Sequence, residues 1–391
     1  MKRMTVAVFA ILSVMFWTTF LAAHPGHDHE QDEVVWEATA PPKSSGGHSG
    51  VAIVAMVSLL VLAAAGNVMR HSPTRLFVAI VVILSSFVSV GLMATEKDEK
   101  AAVPSIQKYF EPFKDKLQLR ADDNYLYVGS NGFPDHPMMI GIRAWQQQVP
   151  LPQPYTGKNA WQIPLHPKLA DKPISAKKAL YRGAIALAVN GVPIFNALNN
   201  RGEDAYLAGE LDEYGGHCGR GDDYHYHMAP VHLEKVVGKG NPIAYALDGF
   251  PLYGYADATG KEPNNLDEFN GRMEPDGYRY YATKTYPYIN GGMRGVVTVR
   301  GDQIDPQPRD APVRPAGQPL RGAKITDFTR DDVKHVYTLK YEVCGATNAI
   351  RYTIQNDGTY TFVYTDGTGR ETTESHRRRE RPEGKQGPPK K

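Results

Sequence analysis

The sequence predicts a mostly β protein: an antiparallel sheet domain with an internal duplication, preceded by two transmembrane helices. Two apolar runs without a charged residue span 50–69 and 76–95. Beyond them, short β-branched and aromatic runs alternate with Gly, Pro, Asn and Asp, as in "AIALAVNGVPIF" and "RYTIQNDGTYTFVYTDGTG". This alternation is typical of short strands joined by tight turns. The chain therefore predicts a membrane region followed by a β domain.

The N-terminal residues predict export. Lys2 and Arg3 precede a long apolar run that ends in small residues, which is the layout of a signal peptide over 1–23, with an uncleaved anchor as the alternative. Residues 24–49 are predicted to form a flexible, His-rich and acidic segment that begins "HPGHDHEQDE". Clustered His and acids are typical of metal binding, although a solvated leader explains the same composition.

The loop 70–75 predicts the orientation of the two transmembrane helices. Each apolar run has about the 20 residues that cross a bilayer, and runs this long without a charge argue against buried core helices. The loop "RHSPTR" contains two arginines and no acid, which favours the cytoplasm. We therefore expect the protein at the cell membrane, with its C-terminal domain facing the periplasm or the cell exterior.

The rest of the chain divides by composition into a charged stalk (96–123), the β domain (124–366) and a disordered basic tail (367–391). The 44 Lys and Arg nearly balance the 42 Asp and Glu, so no nucleic-acid partner is expected. Cys218 and Cys344 both lie on the predicted outer side, where one disulfide would be stable. Two separate thiols, or Cys218 as a metal ligand, are the alternatives.

The β domain contains an internal duplication. Residues 185–197, "IALAVNGVPIFNA", align with residues 243–255, "IAYALDGFPLYGY". Further on, "ELDEYGGH" aligns with "NLDEFNGR", and "DDYHYHMA" with "DGYRYYAT". The second copy keeps both tyrosines of "YHYH" but has Arg279 and Tyr281 in place of the histidines. The tyrosines are therefore interpreted as scaffold and the histidines as functional.

The histidines of this motif predict a metal site. Side chains at i and i+2 of a strand point to one face, so His225 and His227 project together while Tyr224 and Tyr226 pack on the other side. Two such imidazoles can hold copper or zinc. The remaining candidates are two ligands, His217 and His136, and three carboxylates that could bind the metal, accept from an imidazole or act as a base, Asp222, Asp223 and Asp248. Structural, hydrogen-bonded histidines are the alternative.

Four stretches in this order, "SNGFPDHP", "NGVPIFN", "GGHCGRGDDYHYHMAP" and "LDGFPLYGY", resemble the YHYH domain family. The resemblance covers about residues 124–300 and implies a secreted or surface-attached bacterial protein, but no particular activity. In that family the cysteine precedes the Gly-His pair, whereas Cys218 follows it, which weakens the case for the disulfide. The positions that match the family motif are His217, Tyr224, His225, Tyr226, His227, Asp248 and Gly249.

Three functions are compatible with these features. The first is a membrane-anchored metal-binding domain, and the second a metal-dependent hydrolase that uses an open position on the metal. The third is a module without metal that binds an envelope glycan or protein through an aromatic surface. No nucleophile elbow, P-loop or HExxH motif indicates a particular reaction, so enzymatic activity stays open. The tyrosines of the predicted surface, which would otherwise belong to the core, are Tyr278, Tyr280, Tyr281, Tyr286 and Tyr288.

Overall fold

The structure, a computed structural model, describes residues 105–257, 259–310 and 312–378. The predicted signal peptide, His-rich segment and transmembrane helices lie outside the described residues. Within these three ranges, no helix has the length and apolar character needed to span a bilayer. The described residues are mostly β, as predicted, and the few helical turns are short: 3₁₀ turns at Gln107–Tyr109, Glu111–Phe113, Gly157–Asn159 and Val231–Leu233, and helix α1 at Glu234–Val237.

The strands of the described residues form five sheets. The strands of the first copy and its surroundings are β1 (Gln118–Ala121), β2 (Tyr125–Gly129), β3 (Trp161–Pro164), β4 (Leu169–Ser175), β5 (Ala184–Ala188), β6 (Pro193–Phe195), β7 (Gly216–Cys218) and β8 (Tyr224–Tyr226). The later strands are β9 (Ala244–Ala246), β10 (Pro251–Tyr253), β11 (Gly271–Glu274), β12 (Gly277–Tyr281), β13 (Gly292–Gly295), β14 (Val299–Arg300), β15 (Gln303–Ile304), β16 (Lys324–Asp331), β17 (Val336–Val343), β18 (Ala346–Ile354), β19 (Thr359–Thr365) and β20 (Glu371–Arg377).

The largest sheet has eight strands in the order β11-β12-β10-β9-β5-β6-β8-β7. Its two halves are the two copies of the repeat, β5-β6-β8-β7 and β9-β10-β12-β11, and each half contains one parallel pair, β6 with β8 and β10 with β12. The halves meet at the antiparallel pair β5 and β9, where Leu187 lies opposite Tyr245, its equivalent in the other copy. The duplication read in the sequence is thus a local twofold symmetry of the sheet.

The centre of this sheet is buried on both faces. All five residues of β5, "AIALA", are buried, which explains why the strand shows no alternation of apolar and polar residues. The smaller sheet β1-β2-β3 contributes Leu126, Val128 and Ile163 to the same hydrophobic core. Strand β8, which carries the YHYH motif, and its neighbour β7 therefore lie at one edge of a sheet whose centre is firmly packed.

The last five strands form an antiparallel meander, β16-β17-β18-β19-β20. Its buried face is an aromatic stack in which the ring of Tyr352 lies 5.1 Å from Tyr337 and 5.5 Å from Phe362. The Tyr352 hydroxyl donates to the carbonyl of Pro150, which joins this sheet to the loop that leads towards β3. Cross-strand aromatic pairs of this kind stabilise a sheet face.

The folded domain is longer than predicted at both ends. The predicted stalk over 96–123 includes strand β1, which pairs with β2, and Phe110 and Phe113, which are buried in the core. The predicted tail over 367–391 includes strand β20, which pairs with β19. The exposed side chains of both segments are polar or charged, so their composition resembles that of a solvated segment. β20 is held by backbone hydrogen bonds at a sheet edge, which composition does not reveal.

The predicted disulfide is wrong, because both cysteines are free. Cys218 is buried in strand β7, whereas Cys344 is exposed in the turn between β17 and β18. The even number of cysteines and the predicted compartment made a pairing plausible, but the two residues belong to different sheets. The alternative of two separate thiols holds.

Candidate metal centre

The three histidines of the first copy come together on two neighbouring strands. His217 of β7 lies directly opposite His225 of β8 in the antiparallel register, and His227 follows two residues after His225. A period of two puts His225 and His227 on one face of the strand. Gly216 makes this close pairing possible, because a side chain there would collide with the phenol of Tyr224.

The Nε2 atoms of the three rings converge. The distance from Nε2 of His227 is 3.1 Å to Nε2 of His225 and 3.0 Å to Nε2 of His217. All three ligand atoms lie within 4.8 Å of one another. Across the described residues, this is the group of His, Cys, Asp and Glu side chains whose geometry suits a metal ion.

The ring edges that lie away from the converging Nε2 atoms form hydrogen bonds with the backbone. Nδ1 of His225 donates to the carbonyl of Asp223 at 2.9 Å, and Nδ1 of His227 donates to the carbonyl of Asn196 at 2.5 Å. His217 also has a hydrogen bond with the backbone, at Glu210. A carbonyl only accepts, so Nδ1 of His225 and of His227 carries the proton and the Nε2 of each presents a lone pair. Facing lone pairs about 3 Å apart repel each other unless a cation lies between them.

Burial keeps two of these imidazoles neutral. His227 is buried, which lowers its pKa to about 3, and the neighbouring His225 adds to the effect. Burial likewise lowers the pKa of His217 well below its ordinary value, with further contributions from His227 and His225. Neutral imidazole is the form that binds metals, so at neutral pH a metal ion would not have to displace protons from these rings.

The triad borders a cavity of about 660 Å³. The ring of Phe195, which belongs to strand β6, stacks on His225 with the two centroids 3.8 Å apart. Beside His217, the guanidinium of Arg201 is paired with the buried carboxylate of Glu210. The triad is therefore held by packing on one side and is open to a cavity of ligand size on the other.

The three aspartates chosen from the sequence have different surroundings. Asp223 is beside the triad, with its carboxylate 3.4 Å from Nδ1 of His225, where it can orient that ring. Asp222 points away and binds Arg314 with both oxygens at 2.9 Å. Asp248 lies in the second copy, where it accepts from Tyr280 at 2.5 Å. Neither Asp222 nor Asp248 contacts the triad, so the roles of ligand and base predicted for them at this site are wrong.

His136 is not a fourth ligand. Its Nε2 lies 2.7 Å from the hydroxyl of Tyr226, and its ring stacks on Tyr214 with the centroids 3.8 Å apart. These contacts put it on the tyrosine side of β8, opposite the triad. Nδ1 of His136 donates to the carbonyl of Pro137, so its Nε2 accepts the hydrogen of the Tyr226 hydroxyl. That hydroxyl in turn accepts from Asn190 at 3.1 Å. The loop of His136 packs on the scaffold face of the strand, which its sequence does not reveal.

The tyrosines of both copies have equivalent scaffold contacts. Tyr224 donates to Asp212 at 2.7 Å, and its equivalent Tyr278 donates to Asp267 at 2.9 Å. Gly249 adopts a positive φ of 91° in the turn after β9, a conformation that favours glycine. The predicted aromatic recognition surface is wrong, because four of its five residues are buried: Tyr278, Tyr280, Tyr281 and Tyr288.

The second copy has no metal-binding group at the equivalent position. The residues that replace the triad there are Arg272, Arg279 and Tyr281, in the same strand register. Nε of Arg272 lies 2.7 Å from Glu274, and the Tyr281 hydroxyl donates to the same carboxylate at 2.8 Å. In the second copy, these polar groups therefore form hydrogen bonds with a carboxylate of the same copy.

Sequence reasoning missed the residues that support the triad from the end of strand β6 and the position after it. Asn196 supplies the carbonyl that fixes His227, and its amide nitrogen donates to the carbonyl of Ala176 at 2.8 Å. Phe195 packs on His225. The aligned residues of the second copy are Tyr253 and Gly254. Both positions differ between the two copies, next to a strand pattern that the copies share. That difference is the sequence signal that could have identified them.

Comparison with known proteins gives one match. Residues 160–265 match the model of the family described as YHYH protein. Among curated proteins and among solved structures, nothing matches the chain. The matched segment includes strands β5 to β10, which form the first half of the large sheet, the triad and the start of the second half. This match supports the resemblance of residues 160–265 to the YHYH family, over about a quarter of the chain.

Proposed function

We propose that the YHYH domain binds one transition-metal ion through Nε2 of His217, His225 and His227. The observation that carries the proposal is the convergence of these atoms while the opposite edges of the rings donate to the backbone. Nitrogens bound to one tetrahedral ion at 2.0–2.1 Å lie about 3.3 Å apart. Two of the Nε2 separations, 3.0 and 3.1 Å, are close to this value, and all three ligand atoms lie within 4.8 Å of one another, so small shifts of the rings would bring them to one ion.

Zinc and copper are the metals that we propose. Both bind imidazole nitrogen well, and neutral rings favour either ion. Cys218 is on the other face of β7, and its backbone N–H donates to the sulfur of Met139. The triad therefore includes no thiolate, the ligand that favours softer metal ions. Three nitrogen ligands leave one position of a tetrahedral ion for a further ligand.

The adjoining cavity favours a second candidate, a metal-dependent hydrolase. Structural metal sites are usually closed, whereas a three-ligand site beside a cavity of about 660 Å³ has room for a substrate. Asp223 is the carboxylate nearest to the triad and would orient His225 in such an enzyme. Turnover of a generic ester or phosphoester that is lost with the triad would support this candidate.

The location of the domain belongs to the same proposal. The export signal, two apolar runs and an arginine-containing loop support a membrane-anchored protein whose YHYH domain faces the periplasm or the cell exterior. There the site would meet metal ions and ligands of the envelope. Protease treatment of intact spheroplasts tests this orientation: the domain should be cleaved without permeabilising the membrane.

The metal content of the purified full chain tests the function. The parent is compared with a His225→Gln/His227→Gln variant, and with a His136→Gln/His232→Gln control that removes two histidines from the opposite face. After zinc or copper loading and exhaustive dialysis, the triad variant should hold about one equivalent less than parent and control. Metal bound by the His-rich segment is common to all three chains and cancels. Equal metal in all three folded proteins would overturn the proposal.

A further inference from the structure

We propose that the cavity beside the triad binds a small organic oxyanion, a carboxylate or a phosphate ester with an aromatic or apolar body. The proposal deepens the proposed metal site by naming its ligand class. It rests on different residues, however, so it can fail separately. Three independent features of the cavity wall support it.

The first feature is charge. The cavity is lined by four arginines, Arg182, Arg201, Arg220 and Arg309, and by three carboxylates, Glu210, Asp223 and Asp310. Arg201 is neutralised by Glu203 and Glu210, and Asp223 accepts from the backbone of Gly221.

The other three arginines have no such partner. The side chains of Arg182, Arg220 and Arg309 are exposed to solvent and make no hydrogen bond or ion pair with the residues that the structure describes. They come from three separate segments, before β5, in the turn between β7 and β8, and after β15. Guanidinium groups bind carboxylate and phosphate in a bidentate manner, so an entering oxyanion would find ready donors.

The second feature is a buried donor without an acceptor. Trp161 lines the cavity and is 2% exposed, and its indole Nε1 has no hydrogen-bond partner within the described part of the chain. An indole N–H can only donate, and a buried donor left unpaired is destabilising. A ligand oxygen would satisfy it.

The third feature is the size of the cavity and the aromatic part of its wall. Its volume of about 660 Å³ is much more than a metal ion with water needs, and falls in the range of small-molecule sites. Tyr155, which packs edge-on against Trp161 with the centroids 5.2 Å apart, and Phe195 provide aromatic surface. An inorganic ion would leave this surface without a partner, which is why we infer an organic body.

Calorimetric titration of the full chain tests the proposal. The probes are benzoate, phenyl phosphate, inorganic phosphate and neutral benzyl alcohol. The main variant is Arg182→Gln/Arg309→Gln, and its matched control is Arg321→Gln/Arg351→Gln, two exposed arginines away from the cavity. The Trp161→Phe variant removes the N–H and keeps an aromatic ring. The His225→Gln/His227→Gln variant is titrated in parallel to separate anion binding from metal binding.

At least one aromatic anion should bind the parent and the arginine control with equal affinity. We expect a loss of tenfold or more in the Arg182→Gln/Arg309→Gln variant, and about fivefold in Trp161→Phe. Binding should also weaken with rising salt. The preferred probe identifies the head group, carboxylate or phosphate.

Three results would overturn the proposal. They are no binding of either aromatic anion to the parent at millimolar concentration, equal affinity in the Arg182→Gln/Arg309→Gln variant, or equal affinity of inorganic phosphate and phenyl phosphate. Residual anion binding in the triad variant would show that the oxyanion site stands even where the metal proposal fails. Loss of anion binding in that variant, with the arginine effects intact, would show that the metal supplies part of the affinity.

Discussion

Each residue of the YHYH tetrapeptide has a role that depends on the face of strand β8 to which it points. His225 and His227 face the cavity and converge with His217. Tyr224 and Tyr226 are buried on the opposite face, where their hydroxyls have hydrogen-bond partners. Phenols that are buried and hydrogen-bonded hold a strand in place, so the alternation of residue types separates support from function.

A second pair of histidines on the tyrosine side makes stability depend on pH. Burial lowers the pKa of both His136 and His232 to about 4, and Nε2 of His232 has no hydrogen-bond partner among the described residues. The unfolded chain takes up these protons near pH 6.5, the folded chain only near pH 4. Their contribution to stability is therefore complete above pH 6.5 and is lost as the pH falls towards 4.

The variant His232→Leu tests this dependence. Its free energy of unfolding should fall less between pH 7 and pH 4.5 than that of the parent, by about 1 to 2 kcal/mol after allowing for partial exposure of the ring. Denaturant unfolding at the two pH values measures the difference, and the triad is common to both proteins. An equal or steeper fall in the variant would contradict the assigned role of His232.

At the scale of secondary structure, the two copies of the repeat share a scaffold and differ in one face of one hairpin and in the residues that support this face from β6 and just after it. The scaffold is repeated in detail: Asp212 and Asp267 each accept from a tyrosine and from two backbone N–H groups of their own loop. The cavity-facing positions differ completely, with three histidines in one copy and Arg272, Arg279 and Tyr281 in the other. This comparison within one chain explains why the triad could be predicted from the sequence.

The turn before β8 is held by a buried ion pair with Arg314. Asp222 binds its Nε and one terminal nitrogen, both at 2.9 Å, and also accepts from the backbone of Val149. Another bond of Arg314 reaches Tyr364 of β19 at 3.3 Å, so the pair links the motif to the meander.

Removing the guanidinium would leave a buried carboxylate without its partner. We expect Arg314→Met to lower the free energy of unfolding by about 3–5 kcal/mol. The double variant Arg314→Met/Asp222→Asn should recover at least half of this loss, because it removes both charges. Chemical denaturation measures both effects. A loss below about 1 kcal/mol in the single variant would show that the pair does not stabilise the turn.

At the scale of the whole molecule, the sequence predicted the class of fold and the repeat but not the limits of the domain. Short strands and turns are local patterns, and they indicated the β class correctly. Strands β1 and β20 were missed because their charged composition resembles a solvated segment, while backbone pairing holds them in sheets.

The site shows the same division between local and long-range information. His225 and His227 follow from the period of a strand, and His217 from the neighbouring turn. The cavity is built from distant segments, such as those of Trp161, Arg182 and Arg309, and no spacing in the sequence links them. His136 was assigned to the wrong face for the same reason: the path of a long loop depends on what it packs against.

The metal site is tested most directly by a crystal structure of the zinc-loaded chain, with diffraction data collected on both sides of the zinc absorption edge. If the triad binds zinc, one anomalous peak lies in this domain, about 2.0–2.1 Å from Nε2 of His217, His225 and His227. A peak held by other groups, or no peak among these three nitrogens at full zinc loading, would contradict it. In that case the triad would be a set of packed structural histidines.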